Sequence, residues 1–322
     1  MNTIGERYRF TSFGESHGPA VGGVIDGCPA GLRLDMDLIH EDLRRRREGV
    51  LPQPTTCSPN ATASTHPATA STHPPVSARA LAERDEIEWL SGLLDGVTLG
   101  TPIAFIIRNT AAREDDYAGW RDLFRPGHAD YTYTAKYGIR DHRGGGRASA
   151  RETAARVVAG AVAKQLLRDE GIHVTAQVVQ TGDIATAQKE GDSVGGIVAC
   201  TISGLPAGVG EPLFDKTQAR LAYAMLSINA CKGFEYGVGF DSVNRFGSEI
   251  NHLTGGIAGG ITDGSDITFR VVFKPTPSIT KPQQINGQTV QLHGRFDTCV
   301  ALRAVPVVEA MAAMTIYDLI LM

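Results

Sequence analysis

A mixed α+β fold is what this 322-residue sequence predicts. Strand-like and helix-like patterns interleave along the chain without the regular period of βαβ units. No GxGxxG stands in the strand–turn–helix setting that a dinucleotide-binding domain needs, which disfavours a Rossmann sheet. With 42% hydrophobic and 20% charged residues, the chain can bury a substantial core, and wholesale disorder is excluded.

The elements follow in order. Two extended segments, around 7–13 and 20–25, flank the turn Gly14-Glu15-Ser16-His17-Gly18. Residues 37–47 have helical spacing, with Leu38 and Leu43 on the buried side and arginines at the end, where the helix dipole favours cations. Residues 48–84 differ in kind. The run ATASTHP occurs twice, at 61–67 and 68–74, in a tract of Pro, Thr, Ser and Ala that reads as a low-complexity loop. Its His66 and His73 read as solvated side chains of a duplicated linker, not as a metal pair. Strands are expected at 86–90 and 102–108. The segment after Arg143 is the best-marked helix: Ser149 and Glu152 have capping-box spacing, and Val157, Val158, Ala161 and Val162 supply an apolar stripe. Gly171 should end it, with strands at 174–180 and 197–202. A second helix is expected to start at Asp215 and Gln218 and run towards Ile228. Strands near 234–240 and 267–273 precede an apolar helix from Pro306 to Leu321, with proline in its first turn.

Composition narrows the function. No run of 18 apolar residues exists, and the first ten residues lack a signal-peptide core, so a cytoplasmic protein without membrane contact is expected. Five scattered cysteines without a CxxC suit reduced thiols, with neither a disulfide framework nor a metal site. Glycine is enriched, 37 residues or about 11% against roughly 7% in average chains. The net charge of −4 hides two basic segments: Arg44 to Arg47, and residues 125–156 with seven Lys/Arg against three Asp/Glu. Concentrated cations on an acidic chain fit a focused anion pocket better than a nucleic-acid surface.

Four clusters could carry chemistry. In RGGGR, consecutive glycines let backbone N–H groups converge at a helix start, and Arg143, Arg147 and Arg151 add charge. Phosphate or carboxylate is the natural guest, although a glycine turn with solvated arginines would look the same. Arg125-Pro126-Gly127-His128-Ala129-Asp130 places a histidine between an arginine and an aspartate, suiting a general acid or a structural histidine. GESHG lacks the GxSxG spacing of a serine nucleophile. Lys274-Pro275-Thr276-Pro277-Ser278, with Arg295-Phe296-Asp297 downstream, could hold a second anion.

These residues also carry a family resemblance. GESHG with VIDGCPAGL, FRPGHADYTY, KYGIRDHRGGGRASARETAARV, GDSVGG, GEPLFDK, AMLSINACKGFEYGVGF, GGIAGGI, KPTPSI and CVALRAVPVVEAM resemble the successive signatures of chorismate synthases. They occur in that family's order and cover nearly the whole chain outside 48–84. The resemblance implies one domain over residues 1–322, a β-α-β sandwich with a helical layer between antiparallel sheets, assembled as a homotetramer. It implies a shikimate-pathway lyase converting 5-enolpyruvylshikimate 3-phosphate to chorismate and phosphate by 1,4-elimination. Reduced FMN is required without net redox change, and NADPH would be an indirect reductant.

The resemblance also assigns roles. His17 would be the acid on the phosphate side, His128 would protonate or stabilise the flavin near N1, and Asp297 would be the base towards N5. Ser16, Arg46, Arg125 and Arg151 would hold the anionic substrate. Arg147, Ala148, Ser149, Asn229, Ala230, Gly259, Lys274, Pro275, Thr276, Pro277, Ser278 and Arg295 fall at flavin-contact positions. The chain departs from the family pattern in Ala148, which stands for a serine, and Phe296, which stands for a histidine. It also departs in the repeat after the arginine run and in shortened connections at 184–190 and 249–255. Those departures make a catalytically impaired flavin- or anion-binding relative the alternative reading.

Overall fold

Two antiparallel sheets enclose a layer of helices in the computed structural model, which describes residues 1–52, 81–111, 121, 123–285, 288–292, 294 and 296–322. The first sheet has the order β1-β2-β3-β8-β5, from Thr3–Ile4 (β1), Arg9–Gly14 (β2), Ala20–Asp26 (β3), Ile103–Arg108 (β8) and Ile87–Trp89 (β5). A small sheet of Ala30–Arg33 (β4), Val97–Leu99 (β7) and Leu93–Leu94 (β6) flanks it. The second large sheet has the order β11-β14-β10-β9, from Cys231–Tyr236, Ile267–Phe273, Gly196–Ser203 and His173–Thr181. Two hairpins complete the strands: Ile257–Ala258 with Ile261–Thr262 (β12, β13), and Gln283–Ile285 with Gln288–Val290 (β15, β16).

Alternation decides which face each sheet turns inward. On β8, Ile103, Phe105 and Ile107 are buried; on β14, Ile267, Phe269, Val271 and Phe273 are buried while Thr268, Arg270 and Val272 face out. A sheet with one apolar face needs a cover, and the helices supply it. Thr153–Asp169 (α3) packs on β2, β3 and β8, Ala301–Ile320 (α6) packs on β9 and β10, and the two helices pack on each other. Both are apolar nearly all round, as a central layer requires; eighteen of the twenty α6 residues are buried. Their contact is close because Gly160 lies against Ala310: a Cβ on Gly160 would come 2.2 Å from the Ala310 Cβ. Met36–Glu48 (α1) and Thr217–Leu226 (α5) complete the layer; Asp130–Tyr137 (α2) and Ile184–Glu190 (α4) lie on connections.

Polar side chains lock the layer. Glu309 on α6 bonds Arg45 through both oxygens (2.7 and 2.8 Å) and Lys164 (2.9 Å), and Asp42 bonds the same two cations, tying α1, α3 and α6 together. Asp318 at the far end of α6 accepts the backbone N–H groups of Glu6, Arg7 and Tyr8 and a bond from Arg220.

Several expected details differ. Ser149 caps only Arg151 N–H (3.3 Å), and Glu152 pairs with Arg156 instead of reaching back, so two 3-10 turns at Gly146–Ala148 and Ala150–Glu152 lead into α3. Asp215 pairs with Arg220 and α5 begins at Thr217, without a side-chain cap. The strand expected to reach residue 240 stops at Tyr236, because Gly237 and Gly239 turn the chain with positive φ. Helix α6 starts at Ala301, so Pro306 lies inside it. The edges of the tract read as a loop are built in: Glu48 belongs to α1 and Glu83 is buried. The ATASTHP repeats, with His66 and His73, lie outside the described residues. None of the described helices is long and apolar enough to cross a membrane.

Candidate active site

The glycine-rich segment before α3 is the hub. Gly144 (φ 76°) lies flat against His17: a Cβ there would sit 2.4 Å from its Nδ1. His17 is buried, and its Nδ1 lies 3.1 Å from Ser16 Oγ. Arg125 forms a two-pronged pair with Asp130 (2.9 and 2.7 Å) and donates to the Gly144 carbonyl at 2.8 Å. The RPGHAD loop is thereby closed on itself and fastened to the glycine turn. Arg147 anchors the same turn to β2, donating to the carbonyls of Gly14 (3.1 Å) and Ser12 (3.2 Å) and to Ser12 Oγ (2.5 Å).

From this hub hydrogen bonds, joined through the neighbouring pairs Asn229–Ala230 and Gly127–His128, run through most of the expected flavin positions. The Asn229 amide donates to Ala148 O at 3.0 Å. The next residue, Ala230, is held at φ 66°, and its carbonyl accepts from Lys274 N at 3.0 Å. The Lys274 ammonium donates to Gly127 O at 3.1 Å. His128 closes the line: its Nδ1 is 2.8 Å from Pro126 O and its Nε2 2.8 Å from Ser278 Oγ. A carbonyl can only accept, so Nδ1 carries the proton and Nε2 accepts from Ser278. Burial, helped by Arg125, holds the His128 pKa below the usual imidazole value, so it is neutral at neutral pH. Pro277 packs against Gly127, Thr276 O accepts from Ser193 Oγ at 2.7 Å, and Pro275 lies beside Gly195.

Asp297 joins from the other side. Arg303 on α6 donates to its carboxylate at 2.6 Å and to Arg46 O at 3.0 Å. Arg46 is buried and donates to Thr153 Oγ1 (2.9 Å), Ala150 O (3.0 Å) and Asp85 (3.3 Å). Burial, reinforced by Arg303 and Arg151 and opposed by Asp85, pulls its guanidinium down to about 9. Arg46, Ala150, Asn229 and Arg303 line one small cavity. Arg151 is equally buried, bonded to Asp85, to Asn109 Oδ1 (2.8 Å) and to Arg108 O (3.2 Å).

Contacts around the glycine turn bring Ser16, His17, Arg125, Arg147, Ala148, Ser149 and Arg151 together and link them to Asn229, Ala230, Lys274, Ser278 and His128, with Asp297 tied in through Arg303 and Arg46. The cleft beside that turn is lined by Gly14, Glu15, Asp130, Arg143, Gly144 and Arg147, and Arg46 and Asn229 line the separate small cavity. Gly259 stands apart in the β12–β13 turn, where no described bond links it to the 274–278 loop; Arg295 lies outside the described residues. Sequence reasoning missed Arg303, Asp85 and Asn109. None belongs to a cluster that the sequence marks as chemical, and only long-range packing reveals its partners.

A sheet–helix–sheet enzyme with a cation-lined cleft built on a glycine-rich helix start is the class that fold and site define. The family model described as chorismate synthase matches residues 8–62, 69–186 and 181–321. Chorismate synthase of Porphyromonas gingivalis is 48% identical over 373 aligned positions, covering 99% of this chain and 95% of its own. That of Azobacteroides pseudotrichonymphae is 44% identical, covering 99% and 98%. A crystal structure of chorismate synthase superposes with a TM-score of 0.72 at 28% identity, covering 99% of this chain and 93% of that one. This chain belongs to the chorismate synthase family. The family match breaks between 62 and 69, inside the duplicated tract, and its matched stretches overlap at 181–186, where the sequence reads as shortened.

Proposed function

We propose that the cleft carries out the family's reaction, the 1,4-elimination that turns 5-enolpyruvylshikimate 3-phosphate into chorismate and phosphate. The observation that carries this reading is the unbroken path of contacts from Arg147 and Asn229 through Lys274 to His128. Residues scattered over 150 positions of sequence meet there in one wall.

A flavin fits that wall. Among the described residues, Asn229 Oδ1 and Thr276 Oγ1 are buried without a hydrogen-bond partner, and buried polar atoms are rarely left so. Both belong to the expected flavin positions, and a ring carrying N–H and C=O groups with a phosphate tail would satisfy them. The family uses a flavin; reduced FMN is the form proposed here, with NADPH as an indirect reductant. When bound, it supplies the electron density that assists departure of phosphate. Arg147, Ala148, Ser149, Asn229, Ala230 and Lys274 to Ser278 would hold it.

The protein's own groups do the rest. His17, buried beside Ser16, is proposed to donate a proton on the phosphate side. His128 is proposed to stabilise the flavin near N1 or to protonate it; it is neutral at rest, so to protonate it must first take a proton at Nε2, the atom that accepts from Ser278. Asp297 is proposed as the base; Arg303 supplies the countercharge that an ionised carboxylate requires when mostly removed from water. Ser16, Arg46, Arg125 and Arg151 are proposed to set the substrate's place, the three arginines through the backbone and carboxylates they fix. A single domain, a homotetramer and a cytoplasmic location complete the proposal.

The deciding experiment is anaerobic phosphate release with chemically reduced FMN. Release at stoichiometry with chorismate is expected. Asp297→Asn should still bind FMN and substrate yet turn over at least about a hundredfold more slowly, the scale of a general base. Tight flavin binding without any phosphate release would overturn the reading.

A further inference from the structure

Asn109 sits at the end of β8, in no cluster that the sequence singles out, and it touches both ends of the turn that carries His17. Its Nδ2 donates to the carbonyl of Glu15 at 2.9 Å and to that of Gly18 at 2.7 Å. Its Oδ1 accepts from Arg151 Nε at 2.8 Å, and its backbone N–H donates to Pro19 O at 3.1 Å. The orientation of the amide is fixed by chemistry: two carbonyls can only accept and a guanidinium can only donate, so one assignment alone satisfies all three bonds. Behind it, Arg151 is itself held by Asp85, a buried residue in the left-handed region (φ 54°). A non-glycine backbone there costs about 1 kcal/mol or more and persists where surrounding contacts dictate it.

We infer that Asn109 is a positioning residue for His17, clamping the Glu15–Gly18 turn from both ends and held in register by Arg151 and Asp85. The inference rests on the proposed role of His17 in the reaction. The clamp connects the backbone that carries the imidazole to the helix start at Arg151 through one side chain, across three separate stretches of chain. No other described side chain bonds both flanks of the turn. Its amide therefore sets where the imidazole sits relative to Gly144, whose bare Cα leaves the ring its space.

A double-mutant cycle tests this in the full chain with reduced FMN and substrate. Asn109→Ala should lower kcat at least tenfold, with KM changed less than about threefold, because geometry and not substrate contact is lost. In the His17→Ala background the same change should cost nothing further, since the group it positions is gone. Additive losses in the double variant would overturn the inference and mark Asn109 as general scaffolding. A second reading is independent of turnover. The imidazole C–H resonances of His17 should shift or broaden in Asn109→Ala, while those of His128 stay in place. Unchanged His17 resonances in a folded Asn109→Ala variant would overturn the clamp itself. Full activity in His17→Ala with shifted resonances would instead overturn the acid assignment and leave the clamp standing.

Discussion

One hydrogen atom on the Gly144 Cα is what lets the His17 ring lie where it does. Alanine at 144 would meet two obstacles. Its φ of 76° lies in the left-handed region, which costs an L-residue roughly 1–2 kcal/mol, and its methyl would overlap the imidazole at 2.4 Å. The backbone is fastened by Arg125 at the Gly144 carbonyl, so the ring has to move. Gly144→Ala is therefore expected to stay folded, to bind oxidised FMN as before, and to lose at least about tenfold in kcat through the displaced acid. Retained turnover would show that His17 tolerates displacement or does not act. Most partners at this scale are unreadable from sequence. The glycines and arginines announce an anion site, but that Arg147 spends its donors on Ser12 and Gly14 depends on a strand more than 130 residues away.

At the scale of elements, the contact between α3 and α6 is the most exacting. Alanine favours a helix over glycine by about 1 kcal/mol, so Gly160→Ala would stabilise α3 in isolation. In the fold the new methyl would stand 2.2 Å from Ala310 Cβ and 2.3 Å from its Cα, and neither atom can rotate away. Overpacking of that kind costs about 1–3 kcal/mol and wins. Calorimetry should show the melting temperature of Gly160→Ala lowered by several degrees; a rise would mean the helices separate freely. These helices were legible in sequence because their apolar stripes are long and unbroken. Their starts were not: Ser149 and Asp215 have the spacing of caps, yet each is drawn into a bond with a nearby arginine or its backbone. Pro306 looked like a helix start because proline suits that place, whereas the buried run from Ala301 already commits the chain.

Over the whole molecule, charge sets the range of conditions in which the fold holds. Burial alone would raise the Glu309 carboxyl, but Arg45 and Lys164 outweigh it and hold it below the usual value; Arg46 and Arg151 do the same for Asp85. The unfolded chain then takes up protons before the folded one, so this stability is complete above the ordinary carboxylate range and is lost as pH falls through the lowered values. Lys164 runs the other way. Burial pushes it down, Glu309 and Asp42 push it further up, and its contribution fades only as pH rises beyond the ordinary lysine range. Thermal melts should be flat through neutrality and fall below about pH 4, with a shallower acid limb in Glu309→Gln. An unaltered limb in that variant would place the acid sensitivity elsewhere. The duplicated tract should matter little by comparison. It has few large apolar residues, so deleting residues 61–74 is expected to leave the melting temperature within a few degrees.

The Asp318 carboxylate has a further consequence, in the order of synthesis. It accepts the amides of Glu6, Arg7 and Tyr8, groups that leave the ribosome some 310 residues before it does. The first sheet packs on α3, which is made long before, so it is the amides of residues 6–8 alone that lack their acceptor until α6 emerges. The link between β1 and β2 therefore stays unfastened until α6 is made, and the last turn of that helix pins a stretch synthesised some 310 residues earlier.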